Sequence, residues 1–303
     1  KNANEATAFA EELQLILRYL DISDADMENG QMRIEANISI APKNAAELGS
    51  KVEVKNINSF KAVHDAIEYE IKRQEKVLSE GKKVVQETRG WNDQKFATES
   101  QRVKEEANDY RYFHEPDLPP LNLKKFDLEK IKAEIPELPE AKRRRFTEEF
   151  GLDRNQVEII ITEKSWADYF EEAASELKLQ AGTPDYRLLA NYFTSDLRNL
   201  IKTKGIFAEF YPVRNSPPPG PSGALSAGEI SNGIKMSPEH FAHLIFLIGE
   251  GKLSSRLAKD LLLKMFETGE DPETLMESGG MRLMGDEGEL GKIIEAVLGA
   301  NEK

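Results

Sequence analysis

Residues 32–40, MRIEANISI, constrain this chain more than any other stretch. Their side chains alternate without a break, Met32, Ile34, Ala36, Ile38 and Ile40 against Arg33, Glu35, Asn37 and Ser39. A period of two puts the two sets on opposite sides of an extended backbone, so the segment reads as a half-buried strand ended by Pro42. A strand needs a partner. After the turn-like residues 43–50 the alternation returns in KVEVKN, Val52 and Val54 against Lys51, Glu53 and Lys55. A third short apolar piece lies in KKVVQETRGW.

Helices frame these strands. Residues 4–20 carry Ala6, Phe9, Leu13, Ile16, Leu17 and Leu20 at helical spacing, which predicts a helix with that stripe turned inward. Ser59 to about Leu78 carries Phe60, Val63, Ile67, Ile71 and Leu78 on one stripe, with Asn58 or Ser59 as N-cap and Gly81 as the stop. The first 120 residues therefore read as an α+β unit on a mainly antiparallel sheet. From Leu121 to residue 211 the patterns are helical and broken by Pro136, Pro139, Gly151 and Pro184, which predicts an all-α domain. Residues 212–235 are rich in proline and glycine and read as a linker. Residues 236–303 read as a small helical tail, with Ser237–Pro238 opening one helix, Ser254 or Ser255 capping another that ends at Gly269, and Pro272 starting a third.

Chemistry is most plausible on the polar side of the two alternating strands. Paired antiparallel, they would bring Arg33, Glu35 and Asn37 beside Lys51, Glu53, Lys55 and Asn56. Oxygen ligands with cations close by suit Mg²⁺ and phosphate better than zinc. The plainer reading of the same pattern is a solvated network of cross-strand ion pairs. A glycine-rich phosphate loop is absent, so a nucleotide would have to be held by side chains on a sheet. The four histidines show no metal-binding spacing, and the chain has no cysteine for a thiolate site. With no apolar run of membrane-spanning length and no export signal, a cytoplasmic setting is expected. A net charge of -13 disfavours binding of phosphate backbones by bulk field.

Other charged and aromatic clusters have ordinary readings. Arg102 to Asn108 could form an exposed helix. KRRRF at 142–146 is the one concentrated basic patch, and we read it as a helix face paired with Glu137, Glu140, Glu148 and Glu149 rather than as a phosphate contact. Trp91 and Trp166 read as packing residues. In DYRYFHEPDLPPL, residues 109–121, Tyr110, Tyr112 and Phe113 are expected to anchor a loop from which Asp109, Arg111, Glu115 and Asp117 face the polar sheet surface.

Several strings together carry a family resemblance: residues 8–40, KVEVKNINSFKAVHDAIEYEIKRQ, QETRGWND, SQRVKEEANDYRYFHEPDLPPL, PEAKRRRF and PEHFAHLIFLIGEGKLSSRLAKDLLLKMFETG. They resemble the B-subunit family of the aspartyl/glutamyl-tRNA amidotransferases. The family's R-x-D-A-N-[IV]-S motif stands here as Arg33, Glu35, Ala36, Asn37, Ile38 and Ser39, with Glu in place of the commoner Asp. Its K-x-E-x-K-N-[IL]-N-S motif is intact from Lys51 to Ser59, and Q-E-T-R is Gln86 to Arg89. His114 stands where the family has proline.

The resemblance implies a cradle-like catalytic sheet, a helical domain and a tRNA-binding tail. It implies an enzyme that uses ATP and Mg²⁺ to phosphorylate the side-chain carboxylate of misacylated Glu-tRNA(Gln) or Asp-tRNA(Asn). Ammonia from a partner glutaminase subunit, in a complex completed by a third, small subunit, then displaces phosphate. On the matched motifs Glu35 and Glu53 are the expected metal ligands and Arg33, Asn37, Lys51 and Arg102 the expected nucleotide contacts. Lys55, Asn56, Arg89, Asp109, Arg111 and Asp117 are expected near the reacting carboxylate. Measured against the family's layout, the chain is expected to be a piece lacking the upstream part of the catalytic domain and the end of the tail, inactive alone. A non-catalytic tRNA- or protein-binding scaffold is the alternative.

Overall fold

A computed structural model describes residues 2–103, 113–203 and 234–279. The chain divides into two compact units, Lys1–Pro139 and Glu140–Lys303.

In the first unit, helix α1 (Ala3–Tyr19) precedes strands β1 (Ile34–Ile38) and β2 (Val52–Ile57), helix α2 (Phe60–Ser79), and strands β3 (Glu87–Asn92) and β4 (Ala97–Val103). A short helix α3 (Leu128–Glu134) follows. The four strands form one sheet in the order β1-β2-β3-β4. Its outer pairings are antiparallel and the central β2–β3 pairing is parallel, because α2 carries the chain across between them. The sheet is thus mixed, with two of its three pairings as the alternation implied.

Ala36 and Ile38 of β1 and Val52, Val54 and Ile57 of β2 are buried with Ala62, Val63, Ala66 and Ile67 of α2 and with Trp91. Three inward residues at 52, 54 and 57 break strict alternation, and a bulge explains them. Ile34 pairs with Ile57 but Ala36 pairs with Val54, so Lys55 and Asn56 together oppose Glu35. Asn56 supplies the left-handed backbone (φ 63) that such a bulge uses, a conformation asparagine tolerates better than most residues. Its side-chain amide donates to the carbonyl of Trp91 at 3.0 Å, fastening β2 to β3.

Helix α2 begins as expected. Ser59 accepts from the Ala62 amide, and Gly81 (φ 74) follows the last turn, where the Lys82 amide donates back to the Val77 carbonyl. Helix α1 also forms, but its inward face differs from the expected stripe. Ala3, Ala10 and Tyr19 are buried, while Phe9 is 72% exposed and Leu13 38%. Of the expected stripe, Ala6 packs against the core and Ile16, Leu17 and Leu20 are half-buried, while Phe9 and Leu13 are turned outward.

Strand β4 overturns the reading of Arg102 in an exposed helix. Arg102 pairs with Thr88 across the sheet, and residues 104–108 lie outside the described part. Tyr110 and Tyr112 also lie outside it. Phe113, expected to anchor its loop, is 84% exposed, and His114, Glu115 and Asp117 are exposed as well.

The second unit is helical in its described residues: α4 (Pro139–Phe150), α5 (Arg154–Ile161), α6 (Lys164–Gln180), α7 (Tyr186–Asn191), α8 (Arg198–Thr203), α9 (Pro238–Gly249), α10 (Ser255–Thr268) and α11 (Pro272–Ser278). One π-type stretch, Tyr192–Leu197, joins α7 to α8. Phe146, Phe170, Phe193 and Phe241 are buried with Trp166 and Tyr169. Helix α9 packs on α6, and the Tyr169 hydroxyl donates to the carbonyls of Met236 and Ser237 at 3.2 Å each. Burial holds that phenol far above its usual pKa, so it acts only as a neutral donor here. Ser237, Ser254 and Asp271 cap α9, α10 and α11, and Gly269 ends α10 in the left-handed conformation.

Candidate functional site

Register decides which side chains share a face. Ala36, Val52 and Val54 point to α2, so Glu35, Asn37, Glu53 and Lys55 point to the opposite side of the sheet. Glu53 stands beside Asn37 on β1 and beside Thr88 on β3. The Lys55 ammonium lies 3.0 Å from Glu35 Oε1 and 3.8 Å from Glu53 Oε1, and the Thr88 hydroxyl donates to Glu53 Oε2 at 2.8 Å. The regular register of Asn37 with Glu53 and Ala36 with Val54 already brings Lys55 opposite Glu35, and the bulge beyond it inserts Asn56 so that Ile57 rather than Asn56 stands beside Ile34.

Of the residues singled out in the sequence, Glu35, Asn37, Glu53 and Lys55 come together on this face. Arg33 and Lys51 are exposed near the strand ends. Arg102 contributes its backbone to β4, its side chain lying outside the described part. Asn56 serves the bulge. Asp109 and Arg111 lie outside the described residues, and Asp117 makes no side-chain hydrogen bond or ion pair among them.

Arg89 lies on the other face. It is paired with Val54, on the α2 side, where its side chain is 13% exposed. Its guanidinium donates to Glu87 Oε1 at 2.6 Å, to the Thr98 hydroxyl at 2.8 Å and to the Thr98 carbonyl at 2.7 Å. Below it sits Glu70 of α2, fully buried, which accepts two bonds from Arg73 (2.8 and 2.7 Å), one from Gln74 (2.9 Å) and one from Thr98 (3.1 Å). Ser100 donates to Glu87. Burial alone would raise the Glu87 carboxyl, but the bonds from Ser100 and Arg89 and the charges of Arg89 and Arg73 hold it below the usual carboxylate range. The Q-E-T-R motif is therefore divided by the sheet: Glu87 and Arg89 bind β3 to α2, and Thr88 faces the polar side.

This network was missed in the sequence. Glu70, Arg73 and Gln74 look like the solvated flank of α2, and the inward side chains of β4 are Thr98 and Ser100 rather than apolar ones. A signal existed in the three-residue spacing of Glu70 and Arg73, but it is equally that of a surface pair.

On the polar face, the fit to a metal rests on the donor set. Among the described residues no group of three or more His, Cys, Asp or Glu is placed to hold a metal ion. Two carboxylates, a carboxamide and a half-exposed lysine fall short of a calcium or zinc cage. They suit Mg²⁺, which keeps several waters and is usually held by one or two carboxylates together with substrate phosphates.

In the second unit the KRRRF residues are mostly engaged within the fold. Lys142 is buried and lies 2.6 Å from Glu171 and 3.3 Å from Asp168; Arg143 pairs with Glu158 at 3.0 Å and Arg145 with Glu171 at 2.6 Å. The patch is a paired helix face, as read, though its main partners come from α5 and α6. Trp91 and Trp166 are buried packing residues. No helix among the described residues is long and apolar enough to cross a membrane.

Comparison with known proteins gives consistent matches along the chain. Residues 1–129 match the family model of the GatB/GatE catalytic domain, and residues 168–303 match that of the GatB domain. The B subunit of the aspartyl/glutamyl-tRNA(Asn/Gln) amidotransferase of Persephonella marina is 39% identical over 298 residues, covering 98% of this chain and 57% of that protein. Its counterpart in Dehalococcoides mccartyi is 40% identical over 305 residues (100% and 58%), and that in Carboxydothermus hydrogenoformans 37% over 303 (100% and 57%). The chain thus spans less than three fifths of the length of these curated relatives.

Proposed function

The chain belongs to the GatB family, and from that premise we propose that it forms part of the ATP- and Mg²⁺-dependent subunit of a tRNA-dependent amidotransferase. The substrate is the side-chain carboxylate of a misacylated Glu-tRNA(Gln) or Asp-tRNA(Asn), and the partners are a glutaminase subunit, which supplies ammonia, together with a third, small subunit. One observation carries the reading: Glu35, Asn37, Glu53 and Lys55 converge on the sheet face away from α2, with Lys55 between the two carboxylates.

The chemistry needs such a face. Hydroxide is a poor leaving group from a carboxylate, whereas phosphate leaves readily once ammonia has added, so the carboxylate must first take a phosphoryl group. Phosphoryl transfer is catalysed mainly by positioning and charge neutralisation. A bound Mg²⁺ would supply neutralisation of phosphate charge, and Glu35 and Glu53 are the residues that would hold it. Lys55 is 41% exposed in its pairing with Glu35, and ion pairs of that exposure contribute only about 0–1 kcal/mol. Its ammonium is therefore readily exchanged from a carboxylate to an incoming phosphate oxygen. Asn37, beside Glu53, offers a neutral amide donor to the same phosphate. The net charge of -13 leaves tRNA recognition to shape and a few placed cations.

The test is ATP-dependent amidation of misacylated tRNA by the full-length protein with its glutaminase and small partners. Glu53→Gln should lose activity by at least about 100-fold, the scale on which removing one transition-state charge stabiliser acts. Full activity in Glu53→Gln would overturn the assignment.

A further inference from the structure

We propose that Thr88 is a positioning residue for Glu53 in this reaction, an inference that rests on the functional reading above. The parallel pairing of β2 and β3 sets Thr88 directly beside Glu53, on the same face of the sheet. Thr88 is buried, at 7% exposure, and its hydroxyl donates to Glu53 Oε2 at 2.8 Å. The other oxygen, Oε1, is the one turned toward Lys55, at 3.8 Å. The two oxygens are thus given different tasks: Oε2 is held by a neutral donor inside the sheet, and Oε1 is presented to the cationic side of the face. A glutamate on a strand has three side-chain torsions to fix, and a buried neutral donor at its end restricts them without adding charge. Hydroxyl support of this kind orients a ligating carboxylate and tunes its affinity for a cation.

Neighbouring residues reinforce the placement. Gly90 follows two residues after Thr88 on the same face, and a Cβ there would lie 2.2 Å from Gln101 Nε2. The missing side chain lets the Gln101 carboxamide of β4 lie directly over Gly90, where a larger residue would have to displace it. Glu87 and Arg89, flanking Thr88 in sequence, are tied to Glu70, Arg73, Thr98 and Ser100 on the opposite side, so β3 has little freedom to shift Thr88 away from Glu53.

The experiment is direct Mn²⁺ binding, followed by electron paramagnetic resonance, to the complete enzyme complex with a non-hydrolysable ATP analogue. It is run beside a Mg²⁺ titration of amidation in which kcat at saturating Mg²⁺ is read separately from the Mg²⁺ activation constant. The Mn²⁺ dissociation constant should move in step with that activation constant. Thr88→Val keeps shape and β-branching but removes the donor, and Thr88→Ala repeats the loss in a smaller side chain. Both should raise the Mg²⁺ activation constant about 10- to 100-fold, the usual effect of removing a carboxylate's supporting partner, with a smaller change in kcat. Thr88→Ser, which restores the hydroxyl, should bring the constant back to within about threefold of wild type. Two outcomes overturn the proposal: a wild-type Mg²⁺ constant in the valine or alanine variant, or a fall in kcat with that constant unchanged. Glu53→Gln, run in parallel, separates the two levels of the claim. If it is inactive while Thr88→Val titrates as wild type, only the role of Thr88 fails. If it is fully active, the functional reading fails and the positioning role with it.

Discussion

Replacing Glu70 with alanine should destabilise the first unit by about 3 kcal/mol, at the lower end of the range for breaking a buried ion pair by removing one partner. Glu70 has no exposed surface and accepts four hydrogen bonds, from Arg73 twice, Gln74 and Thr98. Its removal strands Arg73, but that side chain is 21% exposed and lies 3.9 Å from Glu87, so water and a second carboxylate offset part of the loss. Arg89 keeps Glu87 and the Thr98 carbonyl, which is why the upper end of the range is not reached. For a unit of this size 3 kcal/mol corresponds to a fall in Tm of roughly 10 °C. Urea denaturation followed by the fluorescence of Trp91, which is buried against Tyr69 of α2, reports on this unit when Trp166 of the second unit is replaced by phenylalanine in every variant compared. A double-mutant cycle with Arg73→Ala should give a coupling of about 1.5–3 kcal/mol, the scale of hydrogen bonds to charged groups. A Glu70→Ala protein within about 0.5 kcal/mol of wild type would refute the claim that this network locks β3 and β4 to α2.

Three further outcomes follow from other contacts. The Glu87 carboxyl is held below its ordinary pKa in the fold, so its stabilisation is complete above the unfolded value of about 4.3 and is lost as pH falls through the lowered one. Tm measured downward from about pH 5 should therefore fall more steeply in wild type than in Glu87→Gln, and parallel curves would remove Glu87 from the account. In the second unit, Lys142→Ala should cost about 1–2 kcal/mol in thermal denaturation, because a buried stem and its bonds to Glu171 and Asp168 are lost while Arg145 still pairs with Glu171; exposed Arg144→Ala should stay within about 0.5 kcal/mol. Gly49→Ala would place a Cβ 2.1 Å from the Ile40 carbonyl oxygen, a backbone clash that should cost about 1–3 kcal/mol by urea denaturation, with an unchanged midpoint contradicting the close approach of the β1–β2 connection.

The sequence made β1, β2, α2 and the helix caps legible because each is specified locally. Val52 and Val54 alternate, Ser59 and Ser237 precede apolar runs, and Gly81 and Gly269 stand where a left-handed residue ends a helix. Strand β4 was not legible, since its inward positions are filled by Thr98 and Ser100, and a period-two signal written in hydrogen-bonding groups does not register as hydrophobicity. The inward face of α1 was read in part: Ala6 packs on the core and Ile16, Leu17 and Leu20 are half-buried, but the fully buried positions are Ala3, Ala10 and Tyr19, two of which carry little apolar weight, and Phe9 is exposed. Of the candidate site, the gathering of Glu35, Asn37, Glu53 and Lys55 on one face of the sheet was legible from alternation and motif. The bulge at Lys55–Asn56 that turns Ile57 inward beside Ile34, and the division of Glu87, Thr88 and Arg89 between two faces, depend on register and needed the fold.

The central claim is that Glu35 and Glu53 hold a metal–nucleotide on the face of the sheet away from α2. Electron paramagnetic resonance of Mn²⁺, standing in for Mg²⁺, measures this directly in the complete enzyme complex with a non-hydrolysable ATP analogue. Wild type should show a bound-metal signal that requires the nucleotide, weakened about 10-fold or more in affinity by Glu35→Gln and by Glu53→Gln, as expected when one carboxylate is removed from a ligand set of two. Nucleotide-dependent Mn²⁺ binding that both variants retain at wild-type affinity would contradict it.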